Sequence, residues 1–237
     1  MSIEVDRKQL LSEAHRARNR GQDRQAIALY KRVLREEPRN IEVALRTAPL
    51  LARRGETFEA WMLFRTAARQ LARGKRYDEC LSVYVDACRY VPHEFDAWRL
   101  RAELEMKLGR EDAAFESLLD GRTQFRDVRT RAQAISLLTR ARTLEPWDPE
   151  LVLDLARLYA RTDQAEAALE LLGALAPRTT EPRTARRIRA LQLRITLSPQ
   201  FAWLWVRATF RAATGSWTGS PTQTDSETEE PAQSSEW

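Results

Sequence analysis

The sequence predicts an all-α fold of stacked helical repeats, and three observations support this prediction. Pro38, Pro92 and Pro146 each close a helical pattern and lie at equal intervals of about 54 residues, with Pro199 one residue short of the next step. Apolar residues recur at helical spacing, and no run alternates as a strand does. The chain is 43% apolar and has only 8 glycines in 237 residues. A period of this length is typical of a solenoid, in which each unit packs on its neighbours.

Each predicted helix has one apolar face and a defined end. Ala26, Tyr30 and Val33 show the i, i+4, i+7 spacing of such a face in the first unit. Turns are expected where a helix must stop, near four positions: Gly21, Gly55, Gly109 and Pro146. Small residues are expected where two helices cross closely, and the predicted crossing points are Ala60, Ala102, Ala114 and Ala168.

Small and aromatic residues recur at fixed positions inside the repeat frames. They are Ala14, Gly21, Ala26 and Tyr30; Ala48, Gly55, Ala60, Phe64 and Ala67; Trp98, Ala102, Gly109, Ala114 and Gly121; and Leu155, Ala156, Tyr159 and Ala168. This pattern resembles the signature of tetratricopeptide repeats over roughly residues 5 to 199. The resemblance implies a right-handed α-solenoid of about twelve antiparallel helices that serves as a scaffold for protein-protein interaction.

The period is longer than the 34 residues of that family by enough for one more helix. Tyr77, Cys80 and Tyr84 fit the second-helix half of the pattern again, so each unit is predicted to contain three helices. The middle helix would then be the second helix of one pair and the first helix of the next. This arrangement differs from the strict pairs of ordinary tetratricopeptide repeats.

Three regions are predicted along the chain: a repeat domain (1–199), an amphipathic helix (200–212) and an acidic tail rich in Ser and Thr (213–237) that is expected to be disordered. The apolar face of the 200–212 helix contains Phe201, Trp203, Trp205 and Phe210. A capping helix for the solenoid is the first interpretation. Two tryptophans flanked by arginines also fit an interfacial membrane helix or a helix that binds a partner.

Charge is spread unevenly, since the tail has five acidic residues and no lysine or arginine, while the whole chain has a net charge of +5. In tetratricopeptide folds, fixed positions of the first helices line the concave groove. Carried over by the resemblance, the basic groove positions are Lys8, Arg18, Arg53, Arg65, Arg69, Arg73, Arg99, Lys107, Arg157 and Arg161. The acidic groove positions are Glu42, Asp96, Glu103 and Glu150. The predicted groove is therefore net positive.

A positive groove predicts a protein or peptide partner with an acidic segment, because arginine pairs well with carboxylates. The alternative interpretation is that these arginines have no binding role and are simply exposed to solvent in an Arg-rich protein. The carboxylate clamp of chaperone-binding relatives relies on asparagines, and the chain has only Asn19 and Asn40. Nucleic acid is an unlikely partner despite a pI near 9.5, because few lysines or aromatics lie along the groove. The main functional alternative is a peripheral membrane scaffold anchored by the 200–212 helix.

Residues able to support chemistry are scarce. His15 and His93 are the only histidines, and no phosphate-binding loop, zinc-spaced cluster or nucleophile elbow is present. We therefore predict no enzyme activity, no cofactor and no small-molecule substrate. Cys80 and Cys88 lie too far apart on one helix for a disulfide, so they are predicted to be buried and reduced. Reduced cysteines and the lack of an apolar stretch near the N-terminus together favour a cytoplasmic protein.

Overall fold

The computed structural model describes residues 2–197, which form eleven α-helices and contain no strand. The helices are α1 (Ser2–Asn19), α2 (Asp23–Glu36), α3 (Ile41–Arg53), α4 (Thr57–Arg73), α5 (Tyr77–Tyr90), α6 (Phe95–Lys107), α7 (Glu111–Gln124), α8 (Arg131–Leu144), α9 (Pro149–Ala160), α10 (Ala165–Leu175) and α11 (Pro182–Thr196). Two short 3-10 helices, Val128–Thr130 and Ala176–Arg178, precede α8 and follow α10. The all-α prediction is confirmed.

The chain divides into two compact units, Met1–Gln192 and Leu193–Trp237. This division falls before the boundary at residue 199 that the sequence predicted. Of the second unit, the structure describes only 193–197, the end of α11 and the residue after it. The predicted helix at 200–212, with its four large aromatic residues, and the predicted tail at 213–237 lie outside the described residues.

The helices repeat with the period of the prolines. Helices α3, α6 and α9 begin at residues 41, 95 and 149, which lie one period apart. Helices α4, α7 and α10 begin at residues 57, 111 and 165, and α2, α5 and α8 at residues 23, 77 and 131, with the same interval. From α1 to α10, each helix packs against the next one along the chain. The prediction of three-helix units is confirmed, and α1 is the equivalent of α4 one period earlier.

Five helices end in a residue with left-handed backbone conformation. Gly21, Gly55 and Gly109 have φ angles of 72°, 80° and 72° after α1, α3 and α6. Glu56 N–H donates to the Leu51 carbonyl at 3.0 Å, which is the six-residue closure of a Schellman motif. Lys75 and Asp163 take the corresponding places after α4 and α9, both with φ of 57°. The glycine pattern therefore located three of these five turns.

The core is built from small residues at equivalent positions of successive units. Ala60, Ala114 and Ala168, on α4, α7 and α10, lie one period apart and have no exposed surface. Ala48, Ala102 and Ala156 form a second series on α3, α6 and α9, each at most 1% exposed. Burial of all four predicted crossing points supports the assigned frame, because a buried alanine lets two helices approach closely.

Candidate functional site

Ion pairs connect several helices to the next but one along the chain. Lys31 on α2 pairs with Glu59 on α4 at 2.5 Å, and Arg122 on α7 pairs with Asp154 on α9 at 2.9 Å. Because each helix up to α10 also packs on its neighbours in sequence, even-numbered and odd-numbered helices form two layers. Each unit has an odd number of helices, so equivalent helices of successive units fall in opposite layers. Of the equivalent helices α3, α6 and α9, the first and last therefore lie in one layer and α6 lies in the other.

The predicted groove residues divide between these layers. We call the layer of odd-numbered helices the odd layer and the other the even layer. The predicted basic residues of the odd layer are Lys8 and Arg18 on α1, Arg53 on α3, Arg157 on α9 and Arg161 directly after α9. Those of the even layer are Arg65, Arg69 and Arg73 on α4, and Arg99 and Lys107 on α6. The family positions place residues of α1, α3, α4, α6 and α9 on one surface. The structure brings together the residues of α4 and α6.

Three arginines of α4 form the core of the candidate site. Arg65 is partly exposed, and Arg69 and Arg73 are exposed. Their spacing of four residues places them on one face of the helix. None of the three forms an ion pair with a carboxylate within residues 7–197, in contrast to most basic residues around them. Arg65 lies close enough to Glu94 for its charge to act on the pKa of that carboxyl, which burial raises. This face of α4 therefore has three arginines without an ion pair, and only Arg65 has a carboxylate of this kind nearby.

A buried tyrosine connects the α4 arginines to α6. Arg65, Arg69 and Arg99 are all close enough to Tyr84 to lower the pKa of its phenol, but burial outweighs them and raises the pKa to about 12. Arg99 is held by Asp96 at 2.7 Å and by Glu103 at 2.9 Å. We call Arg65, Arg69, Arg73 and Arg99 the basic surface.

The acidic positions beside the basic surface are occupied within the chain. Glu103 accepts hydrogen bonds from both Arg99 and Arg140, the latter from α8 at 2.8 Å. The ammonium of Lys107 lies 5.0 Å from the centre of the Tyr77 ring, a cation-π contact. Asp96 and Glu103 thus neutralise Arg99, and the net positive charge of the basic surface comes from α4.

Two exposed apolar residues, which were not among the predicted site residues, lie on the same face of α4. Phe58 is 73% exposed and Met62 is 40% exposed. They precede Arg65 by seven and three residues, which continues the arginine face toward the start of the helix. The helical spacing of Phe58, Met62, Arg65, Arg69 and Arg73 was visible in the sequence, but a burial pattern was needed to show that the first two face solvent.

Of the five predicted basic residues in the odd layer, one forms an ion pair within the described chain. Arg53 pairs with Asp23 at 3.0 Å. The backbone carbonyl of Arg161 accepts a hydrogen bond from Arg131 at 2.9 Å. Glu150, an acidic position of the predicted groove, is held by two hydrogen bonds from Arg187. Lys8, Arg18, Arg157 and Arg161 form no ion pair within residues 7–197, but they are divided between α1 and the end of α9, whereas the three arginines of α4 share one helix face.

A pocket of about 360 Å³ lies among α8, α9 and α10. Trp147 is 48% exposed at this pocket, and the guanidinium of Arg178 stacks 3.8 Å from the centre of its ring. The pocket is otherwise lined by apolar side chains together with Arg142 and Glu170. The charges of Arg142 and Glu170 are opposite, and Arg178 is already engaged with Trp147, so this pocket is not part of the basic surface.

His15 joins α1 to α3 through a contact between its ring nitrogens and the Arg46 guanidinium. Burial lowers its pKa, and Arg46 and Arg18 lower it further, while Glu42 opposes the shift. The folded chain therefore binds fewer protons at this site than the unfolded chain, and the stability from His15 is complete only above its unfolded pKa. We expect the urea midpoint to fall as the pH drops from 7.5 to 5.5.

The control for this effect is a His15→Gln variant measured at the same two pH values. Its midpoint should change less between pH 7.5 and 5.5, because the carboxylates with lowered pKa titrate mainly below this window. An equal fall in both proteins would show that His15 is not the responsible group.

The described residues contain no candidate metal site and no helix long and apolar enough to cross a membrane. Cys80 and Cys88 are buried free thiols, as the sequence predicted. Burial raises the pKa of Cys88 to about 12, which disfavours a reactive thiolate. The residues predicted to anchor a membrane, Phe201, Trp203, Trp205 and Phe210, lie outside the described part of the chain.

Residues 128–195, which include α8 to α11, match the family model of the tetratricopeptide repeat. No curated protein matches the sequence. Among solved structures, a tetratricopeptide repeat protein from Parabacteroides merdae is 15% identical, with coverage of 90% of this chain and 94% of that chain and a TM-score of 0.26. A thermophilic repeat protein from Thermus thermophilus is 21% identical, with coverage of 79% and 99% and a TM-score of 0.26. Yeast Tom70 is 15% identical, with coverage of 82% of this chain but 47% of its own and a TM-score of 0.31.

Proposed function

We propose that this chain, which belongs to the tetratricopeptide repeat family, is a non-catalytic scaffold that binds an acidic segment of a partner protein on its basic surface. The observation that carries the proposal is the set of three arginines on one face of α4 that form no ion pair within the described chain, with only Arg65 near a carboxylate, that of Glu94. Like charges four residues apart destabilise a helix by roughly 0.2 to 0.5 kcal/mol per pair. A partner carboxylate relieves this repulsion, so binding an acidic segment has a source of free energy that binding a neutral segment lacks.

The proposal includes no cofactor and no small-molecule substrate. Its compartment is the cytoplasm, where two buried free thiols would stay reduced. Arginine suits the role because its planar guanidinium forms paired hydrogen bonds to a carboxylate. Arg99 would lie at the edge of the contact and attract the partner less than the α4 arginines do, since Asp96 and Glu103 already compensate its charge.

Reversal of charge on α4 tests the proposal. We expect the triple variant Arg65→Glu, Arg69→Glu, Arg73→Glu to lose capture of its partners from a native lysate, because carboxylates would then face carboxylates. Capture by the natural chain should weaken as the salt concentration rises, since exposed charges are screened at about 8 Å in 0.15 M salt. Quantitative mass spectrometry of the captured proteins provides the measurement.

The matched control reverses three exposed arginines of α11, with Arg183→Glu, Arg186→Glu and Arg189→Glu. These residues form no ion pair within residues 7–197, and the change in net charge is the same. Far-UV circular dichroism should show that both variants remain helical. If the α4 variant captured the same proteins as the control, the binding site would lie elsewhere.

A further inference from the structure

We infer that the bound segment is an amphipathic helix that lies antiparallel to α4, with an acidic first half on the arginines and an apolar second half on Phe58 and Met62. This inference rests on the proposed function and specifies its partner. It is carried by the exposed face of α4, which changes from apolar to basic along a single line of residues.

The line consists of Phe58, Met62, Arg65, Arg69 and Arg73. Successive members are four, three, four and four residues apart, which keeps them within about 80° of one another around the helix axis. The line runs along about 22 Å of α4 at 1.5 Å per residue. A narrow, straight stripe of this length matches the contact face of a second helix of four turns.

Glu59 and Leu63, which directly follow Phe58 and Met62 in α4, line a groove between α2 and α4. Leu34, Leu51 and Leu63 line this groove, which has a volume of about 320 Å³, and the Lys31–Glu59 ion pair lies at its edge. Large apolar side chains exposed next to such a groove are typical of an interaction site. A partner with carboxylates alone would leave Phe58 and Met62 exposed to water. A partner that covers the whole stripe therefore needs apolar side chains opposite these two residues as well as carboxylates opposite the arginines.

A helix fits the stripe better than an extended segment does. An extended chain would span 22 Å with about seven residues, and its side chains would alternate between two faces. Only about half of them would then point at α4, and their spacing would not follow the arginines. A helix repeats the spacing of α4 itself, so one carboxylate can meet each arginine along the line.

The direction of the partner helix follows from electrostatics. Acidic residues are favoured in the first turns of a helix, because the amide groups there carry a partial positive charge. If the first turns of the partner lie over Arg73, its carboxylates meet the arginines, and its later turns reach Phe58. The partner therefore has carboxylates at positions i, i+4 and i+8, and apolar side chains at i+11 and i+15.

Two synthetic peptides of identical composition test this order. One has the acidic positions first and the apolar pair second, on an alanine-rich helical background, and the other has the same sequence reversed. We expect fluorescence anisotropy with the full chain to show at least about tenfold tighter binding of the acid-first peptide, about 1.4 kcal/mol. Equal affinity for the two peptides would overturn the inference.

Variants of the chain locate the two halves of the contact. The α4 charge reversal should abolish binding of the acid-first peptide, and the α11 control should leave it unchanged. A Phe58→Ala, Met62→Ala variant should bind that peptide about tenfold more weakly, with little change in the dependence on salt. Both residues are exposed, so the variant should fold normally. Unchanged affinity in this variant would exclude the apolar half of the contact.

The two proposals fail in different ways. If the α4 reversal leaves capture from the lysate unchanged, the proposed binding site is wrong, and the helix inference falls with it. If the reversal abolishes capture but the peptides bind equally in either order, the acidic partner remains and only its helical, antiparallel form is wrong.

Discussion

Replacement of Trp98 by alanine is expected to lower the free energy of unfolding by about 3 to 5 kcal/mol, the range for removal of a large buried aromatic side chain. Trp98 is 7% exposed on α6, and its indole N–H donates to the Pro92 carbonyl at 2.8 Å. The change would therefore leave both a cavity and a carbonyl without its donor. Urea unfolding followed by circular dichroism measures the loss.

Gly121 on α7 makes the room that Trp98 occupies. A Cβ atom on Gly121 would lie 2.8 Å from Cγ of the Trp98 ring, closer than real Cβ contacts. In the preceding unit the residues equivalent to Trp98 and Gly121 are Ala44 and Ala67. The larger side chain on α6 is thus accompanied by a smaller residue on α7. We expect Gly121→Ala alone to cost about 1 to 3 kcal/mol through overpacking.

The double variant completes the test. With Trp98 already replaced by alanine, the second change to alanine at Gly121 should cost nothing and should add up to about 1 kcal/mol of helix propensity. The two changes would then be strongly non-additive, as expected for side chains in contact. Additive losses would show that Trp98 and Gly121 do not constrain each other.

The sequence was sufficient to predict the period, the class of fold and the buried alanines. Prolines and glycines mark the ends of helices through backbone chemistry, and Ala60 and Ala114 recur at the same point of each unit. Lys75 could not be predicted as a turn residue from its type, because a left-handed φ angle is uncommon for lysine, and Asp163 was overlooked although aspartate adopts this conformation more often than most residues other than glycine. The sequence signal for these two turns was that Lys75 and Asp163 lie one period after Gly21 and Gly109.

The positions of the predicted groove residues followed from the sequence in part. Arg65, Arg69 and Arg73 lie on one helix, as the repeat frame places them, but Arg157 was assigned to the same surface and lies in the other layer. Their role in binding stays a prediction. The family positions assume that helices alternate in pairs, whereas a unit of three helices exchanges the layers at each repeat. Phe58 was missed because a lone aromatic at helical spacing is usually buried, and only the structure shows it to be exposed.

The middle unit contains a buried charge where its neighbours have apolar residues. Glu105 on α6 is 3% exposed and accepts hydrogen bonds from Ser117 at 2.5 Å and from Arg101 at 3.0 Å. The equivalent residues are Thr47, Leu51 and Leu63 in the preceding unit, and Leu155, Tyr159 and Leu171 in the following one. The repeat itself therefore shows that this place can be filled without an ion pair.

These neighbours lead to the prediction that Arg101→Leu alone lowers the free energy of unfolding by about 3 kcal/mol, because it leaves a buried carboxylate without its cation. The triple change Arg101→Leu, Glu105→Leu, Ser117→Leu should instead be neutral or stabilising, by up to about 4 kcal/mol, since removal of a whole buried ion pair also removes its cost of desolvation. Urea unfolding of the two variants separates these cases. A triple variant no more stable than Arg101→Leu would mean that Arg101 and Glu105 contribute a net stability that leucines cannot replace, and that the middle unit packs differently from its neighbours at this position.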